Sequence, residues 1–94
     1  GGVAYGMSKS AVHTMTLFLA KELASAGVRV NAVAPGPIAT EMTTSFPDNL
    51  RALIPLGRMG RAEEVASAVS FMLSDKAGFI SGEILDINGA LWCD

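Results

Sequence analysis

Seven consecutive residues, Val28-Arg29-Val30-Asn31-Ala32-Val33-Ala34, are mostly apolar and rich in β-branched side chains, and they run straight into Pro35-Gly36-Pro37. The run predicts a buried strand of a parallel sheet, because such strands are covered on both faces and need no polar alternation. Two prolines around a glycine cannot continue a hydrogen-bonded ladder, so the strand is expected to stop there. In open α/β sheets, ligands lie just beyond the carboxyl ends of strands. The segment 35–37 is therefore a candidate binding loop, with a plain strand-to-helix turn as the alternative.

A helix is predicted before this strand, over residues 4–26, with Gly27 as its stop. Val12, Thr16, Leu19 and Leu23 fall within about 40° of Tyr5 at about 100° per residue, so they share a stripe. Lys9, four residues after Tyr5, lies on the same face, where a lysine must snorkel outward or be held by polar partners. Met7, Ala11, Thr14 and Phe18 form a second stripe well round from the first. Such a helix has two surfaces to cover, one against a sheet and one against a neighbouring helix or a second subunit.

Residues 38–60 read as irregular, broken by Pro47, Pro55, Gly57 and Gly60, with a short helix expected around 48–54. The apolar set Phe46, Leu50, Leu53 and Ile54 suits a lid over an apolar ligand, or else a surface connection with its own small cluster. A second helix is predicted over 61–75. Glu63 and Glu64 occupy its first turn, where the helix dipole favours them, and Val65, Ala68, Val69, Met72 and Leu73 form its buried face. A second strand is expected over 83–88, closed by Gly89.

The order is thus helix, strand, lid, helix, strand. Two parallel strands joined through a helix make one right-handed βαβ unit. Two strands alone leave edges and apolar faces that these elements cannot cover. The fold class expected is α/β, with residues 1–94 forming the C-terminal part of a single doubly wound parallel-sheet (Rossmann) domain. The composition agrees: 50% of the 94 residues are hydrophobic and the net charge is −2, which excludes a disordered chain and disfavours nucleic acid as a partner. No apolar run reaches about eighteen residues, so no membrane span is expected. A single cysteine, Cys93, permits no internal disulfide and no metal-ligand spacing, which makes a reducing, cytoplasmic setting the default and predicts no metal. His13 lies off both stripes and is expected to face solvent, and Cys93 to be inert.

Tyr5-x-x-x-Lys9 at the head of a long helix, followed by Asn31-Ala32-Val33-Ala34-Pro35-Gly36-Pro37-Ile38-x-Thr40, closely resembles the short-chain dehydrogenase/reductase family. Pro55-Leu56-Gly57-Arg58-Met59-Gly60 with Glu63-Glu64-Val65-Ala66, and then Ser81 to Gly89, extend the resemblance in the same order over essentially the whole chain. Among subfamilies it looks most like the 3-oxoacyl-acyl-carrier-protein reductases. The resemblance implies an oxidoreductase that moves a hydride between NAD or NADP and a carbonyl or secondary alcohol. Tyr5 would be the general acid/base; a free tyrosine titrates near pH 10, and the Lys9 ammonium one turn away favours its phenolate. Lys9 would also hold the nicotinamide ribose with its three donors. Pro35 and Gly36 would let backbone approach the nicotinamide. Ile38 would bind the carboxamide through its backbone, and Thr40 would bind the carboxamide or pyrophosphate through its hydroxyl. Residues 38–60 would carry the substrate lid, its covering part at 41–56, and the complete protein would form a homo-oligomer.

The resembled family also carries a glycine-rich dinucleotide loop and a serine upstream of its tyrosine; only four residues precede Tyr5 here, and no such loop is present. The expectation is that the 94 residues alone bind NAD(P) poorly and do not turn over. The alternative is a non-catalytic truncated product acting only through subunit pairing.

Overall fold

A computed structural model of the chain describes residues 2–39 and 51–92, the side chains of residues 2–5 excepted. Its elements are helix α1 (Gly2–Leu23), strands β1 (Ala32–Pro35), β2 (Ile38–Ala39) and β3 (Gly60–Arg61), helix α2 (Ala62–Leu73) and strand β4 (Ile84–Ile87). β1 neighbours β4 in one two-stranded sheet, and β2 neighbours β3 in another. The Ala32 amide donates to the Glu83 carbonyl, and the Gly36 amide to the Ile87 carbonyl, each at 2.9 Å. Both partners advance by four residues, as parallel strands require. β2 and β3 are also parallel, with Ile38 opposite Gly60. The chain divides into two compact units, residues 1–32 with 72–85, and residues 33–71 with 86–94.

In the first unit, α1 runs into a 3-10 turn at Ala24–Ala26 and stops at Gly27, whose φ of 75° is left-handed. The Val28 amide reaches back to the Leu23 carbonyl and the Gly27 amide to that of Ala24, a Schellman end that consumes two terminal carbonyls. Among the described side chains of α1, those of Thr16 and Ala20, one turn apart, are buried. Val12, Leu19 and Leu23 are more exposed than their shared stripe predicts, and Met7 and Phe18 of the second stripe stand 70% and 61% exposed. The neighbour supplied inside this unit is slim: a carbon added at Gly82 would lie 3.6 Å from Ala20 Cβ and 3.7 Å from Leu17 Cδ1. Close approach of backbone to helix therefore covers one narrow strip of α1.

The strand expected over 28–34 joins the β1–β4 ladder only from Ala32. Its first half meets the non-ladder segment Ile80–Glu83, where Gly82 has φ 81°. There one backbone bond, from the Gly82 amide to the Val30 carbonyl at 2.8 Å, is joined by side-chain bonds. The Val30 amide donates to Ser81 Oγ, Asn31 Nδ2 donates to the Ile80 carbonyl, and the Glu83 amide donates to Asn31 Oδ1. At the other end the ladder outlasts Pro35. Alternate residues of a strand face the same neighbour, so proline sits where its missing N–H is not needed by β4, and Gly36 adds one more bond. The expectation that the ladder ends before Pro35 is corrected accordingly.

Arg29 ties this unit together. Its Nη1 donates to the carbonyls of Met72 (2.9 Å) and Ile80 (3.2 Å), and its Nη2 to that of Ser74 (3.3 Å). A guanidinium is well matched to the orphan carbonyls and negative pole at the end of α2. Met72 and Ala77 are buried, but Leu73, expected in the buried face, is 78% exposed. α2 ends at Leu73 rather than continuing to 75, and a 3-10 turn follows at Asp75–Ala77.

In the second unit, Ile54 is 3% exposed and anchors the segment before β3. β2 and β3 were not expected: two-residue strands carry no period that a sequence can display. The short helix expected at 48–54 falls mostly outside the described residues. Arg51 is helical and from 52 onward the chain makes turns, with the Ile54 amide bonded to the Arg51 carbonyl.

Candidate active site

Tyr5 and Lys9 lie in the first two turns of α1, four residues apart and hence on one helix face. Lys9 is half-buried. The Tyr5 side chain, Thr40, residues 41–50 of the expected lid and Cys93 lie outside the described residues. His13 is exposed, as its position off the stripes predicts.

The second unit holds Pro35, Gly36 and Ile38. The close approach here is made by Gly36, where an added carbon would meet Asn88 Cβ at 2.7 Å and Asn88 Cα at 3.0 Å. Only glycine fits without displacing backbone. The Gly60 amide bonds the Pro37 carbonyl, at 3.0 Å. Because backbone polar groups alternate in direction along a strand, the N–H and C=O of Ile38 point to the edge opposite β3. Behind the loop is a cavity of about 280 Å³ lined by Pro37, Ile54, Leu56, Arg58, Glu64 and residues 86–90, among others.

Arg58 grips Glu64 with two parallel bonds, Nη1 to Oε1 at 2.8 Å and Nη2 to Oε2 at 2.9 Å. Glu64 Oε1 also accepts from the Arg61 amide at 3.0 Å. Glu64 is the third residue of α2, so this last bond is half of a capping box that closes the helix start. The Arg58 guanidinium, aided by the Arg61 amide, holds the Glu64 carboxyl down at about 2, well below its ordinary 4.5.

A family model described as enoyl-(acyl carrier protein) reductase matches residues 1–91. A solved short-chain dehydrogenase/reductase from Serratia marcescens, a double mutant, superposes with a TM-score of 0.85 at 38% identity. The chain belongs to the short-chain dehydrogenase/reductase family. The superposition covers 97% of this chain and 38% of the Serratia one. The fold is accordingly α/β, a part of the doubly wound parallel-sheet fold of that family.

Curated relatives agree. An uncharacterized oxidoreductase of Bacillus subtilis is 46% identical, covering 97% of this chain and 39% of its own length. The 3-oxoacyl-[acyl-carrier-protein] reductase of Salmonella typhimurium is 44% identical, covering 98% and 39%. A 3alpha-hydroxysteroid dehydrogenase of Mediterraneibacter gnavus is 46% identical, covering 95% and 37%. The chain thus spans about two fifths of the length of these relatives. No helix among the described residues is long and apolar enough to cross a membrane, and no cluster of metal-ligating side chains occurs among them.

In this short-chain dehydrogenase/reductase chain, sequence reasoning placed Asn88 in the Ser81–Gly89 stretch, with a role in subunit contacts, and missed its contact with Gly36. Its side chain accepts from the Ala90 amide and donates to the Trp92 carbonyl while its Cβ faces Gly36. An Asn-Gly pair after a strand is a turn signal, but nothing in the sequence marks the contact with Gly36. Glu64 was legible as a first-turn acid. Its partner Arg58, six residues earlier, falls outside any helical spacing.

Proposed function

We propose that this chain is the part of an NAD(P)-dependent oxidoreductase that supplies the proton donor and the nicotinamide-side loop. The enzyme would act on a carbonyl or secondary alcohol of the 3-oxoacyl type. The observation that carries this reading is the pairing of Tyr5 and Lys9 on one face at the start of α1, with Lys9 half-buried rather than free in solvent.

The residues fit a nicotinamide nucleotide. A lysine ammonium carries three donors, a set suited to ribose hydroxyls. Gly36 keeps side-chain bulk out of the loop, and the Ile38 backbone is directed to the edge away from β3, suited to an amide. Tyr5, Lys9, Pro35, Gly36, Ile38 and Thr40 are the residues assigned to hold it. The bound cofactor supplies or takes the hydride. Tyr5 gives its proton to the carbonyl oxygen in reduction and takes it back in oxidation. The Lys9 charge lowers the cost of leaving that oxygen anionic. Residues 41–56 cover the substrate.

Two finer assignments accompany this reading. The exposed Met7 and Phe18 stripe supports a homo-oligomer in the complete protein. The absence of a glycine-rich dinucleotide loop from the 94 residues supports weak NAD(P) binding by this stretch alone. NAD and NADP both suit this reading, and a cytoplasmic setting belongs to it.

The test is Tyr5→Phe in the longest natural polypeptide that carries this sequence. Ketone-dependent NAD(P)H oxidation is expected to fall about 100-fold or more, the scale of a lost general acid, with NAD(P)H binding kept within about threefold. Unchanged turnover would remove Tyr5 from the chemistry.

A further inference from the structure

We propose that Asn88 is a positioning residue for the nicotinamide end of the cofactor, acting through Gly36. This rests on the reading above, in which Pro35–Ile38 approaches the nicotinamide.

The Gly36 backbone is held from one side only by a bond and from the other by a wall. Its amide donates to the Ile87 carbonyl, which fixes its height on the β4 edge. Its Cα faces the Cα and Cβ of Asn88 with no room for one more carbon. The place of the loop is therefore set by where Asn88 stands. Asn88 in turn opens a turn that is costly to form. Gly89 and Ala90 take φ values of 61° and 71° in succession, and for alanine this is the disfavoured left-handed region. The Asn88 side chain keeps that turn closed: Oδ1 accepts from the Ala90 amide at 3.0 Å, and Nδ2 donates to the Trp92 carbonyl at 2.9 Å. A third bond joins the Leu91 amide to the Asn88 carbonyl.

The far side of the turn is walled as well. The Gly89 carbonyl accepts from the Leu56 amide at 3.2 Å, and a carbon on Gly89 would meet Ile54 Cγ2 at 2.8 Å. The turn is thus a wedge between the loop at Gly36 and the segment 54–56. Loss of the Asn88 amide lets the wedge relax, and Gly36 follows because the atoms nearest to it on that side belong to Asn88. The effect falls on the part of the ligand that touches the loop. The adenosine end, which the loop does not reach in this reading, is left alone.

The experiment uses the longest natural polypeptide that carries this sequence, titrated with NAD(P)H and separately with ADP-ribose or its 2′-phosphate, which lack the nicotinamide. Asn88→Ala keeps the Cβ but removes both side-chain bonds. It is expected to weaken NAD(P)H about fivefold, with ADP-ribose affinity unchanged. Equal weakening of both ligands, or of neither, overturns the proposal. Gly36→Ala, measured in parallel, separates the two layers. If Gly36→Ala weakens NAD(P)H and Asn88→Ala does not, Asn88 alone is excluded. If Gly36→Ala leaves NAD(P)H binding untouched, the loop reading fails and takes this proposal with it. Should Asn88→Ala prove too unstable to assay, Asn88→Asp carries the same test, since it keeps the acceptor for Ala90 and loses the donor to Trp92.

Discussion

Along α1 the large apolar side chains Met7, Met15 and Phe18 are all more than half exposed, and the helix is buried at Thr16 and Ala20. Around the 88–90 turn, by contrast, Gly36 and Gly89 have no room for a single added carbon. Each region carries residues assigned to the same cofactor, but each positions them differently. In α1 the placement of Tyr5 and Lys9 comes from helical period, which needs no neighbour. At Gly36 it comes from backbone pressed against backbone, which needs every neighbour to be right. Local geometry tolerates substitution around it; contact geometry does not.

That contrast can be broken most sharply at Gly89. Gly89→Val puts a β-branched side chain at φ 61° and a carbon 2.8 Å from Ile54 Cγ2. The expected loss is about 2–4 kcal/mol in urea unfolding. A loss of less than about 1 kcal/mol would mean the turn is not tightly held. Ala90→Gly runs the other way. It removes the cost of alanine at φ 71° and is expected to raise stability by about 1 kcal/mol, read as a higher urea midpoint.

Glu64 offers a gentler probe, through pH. Its folded carboxyl titrates at about 2 against an ordinary 4.5, so the native state binds fewer protons than the unfolded one. The stabilisation is complete above about pH 4.5 and is lost as pH falls toward about 2. Glu64→Gln should flatten the acid limb of stability over that window, and an unchanged acid limb would rule the pair out as its source. Smallest of all is Phe18→Ser on the exposed α1 stripe. Unfolding of the isolated 94 residues should shift by about 0.5 kcal/mol or less. A larger loss would show that Phe18 is covered by something in that chain.

The same contrast explains what the sequence could display. α1, its stop at Gly27, the first-turn position of Glu64 and the element order were legible, since each depends on residues a few positions apart. The Tyr5–Lys9 pair was legible for that reason. Beyond local spacing the reading failed in specific places. Leu73 fits the α2 stripe but is open to solvent. Val28–Asn31 look like strand but meet the left-handed Gly82, and one backbone bond there is supplemented by bonds from the Ser81 and Asn31 side chains. β2 and β3 are too short to carry a period. The wall behind Gly36 depends on Asn88, more than fifty residues later in the chain, and no local pattern encodes it.

Arg29 has a consequence for the order in which the chain assembles. Its guanidinium reaches carbonyls 43, 45 and 51 residues downstream. Closing loops of that length is entropically uphill before any reward arrives, so these bonds form after the helices rather than before them. Three acceptors on one fork also open as one. The Schellman end of α1 can fray and reclose by itself. The carbonyls of Met72 and Ser74 at the close of α2 should instead lose their guanidinium partner together, with the departure of a single side chain.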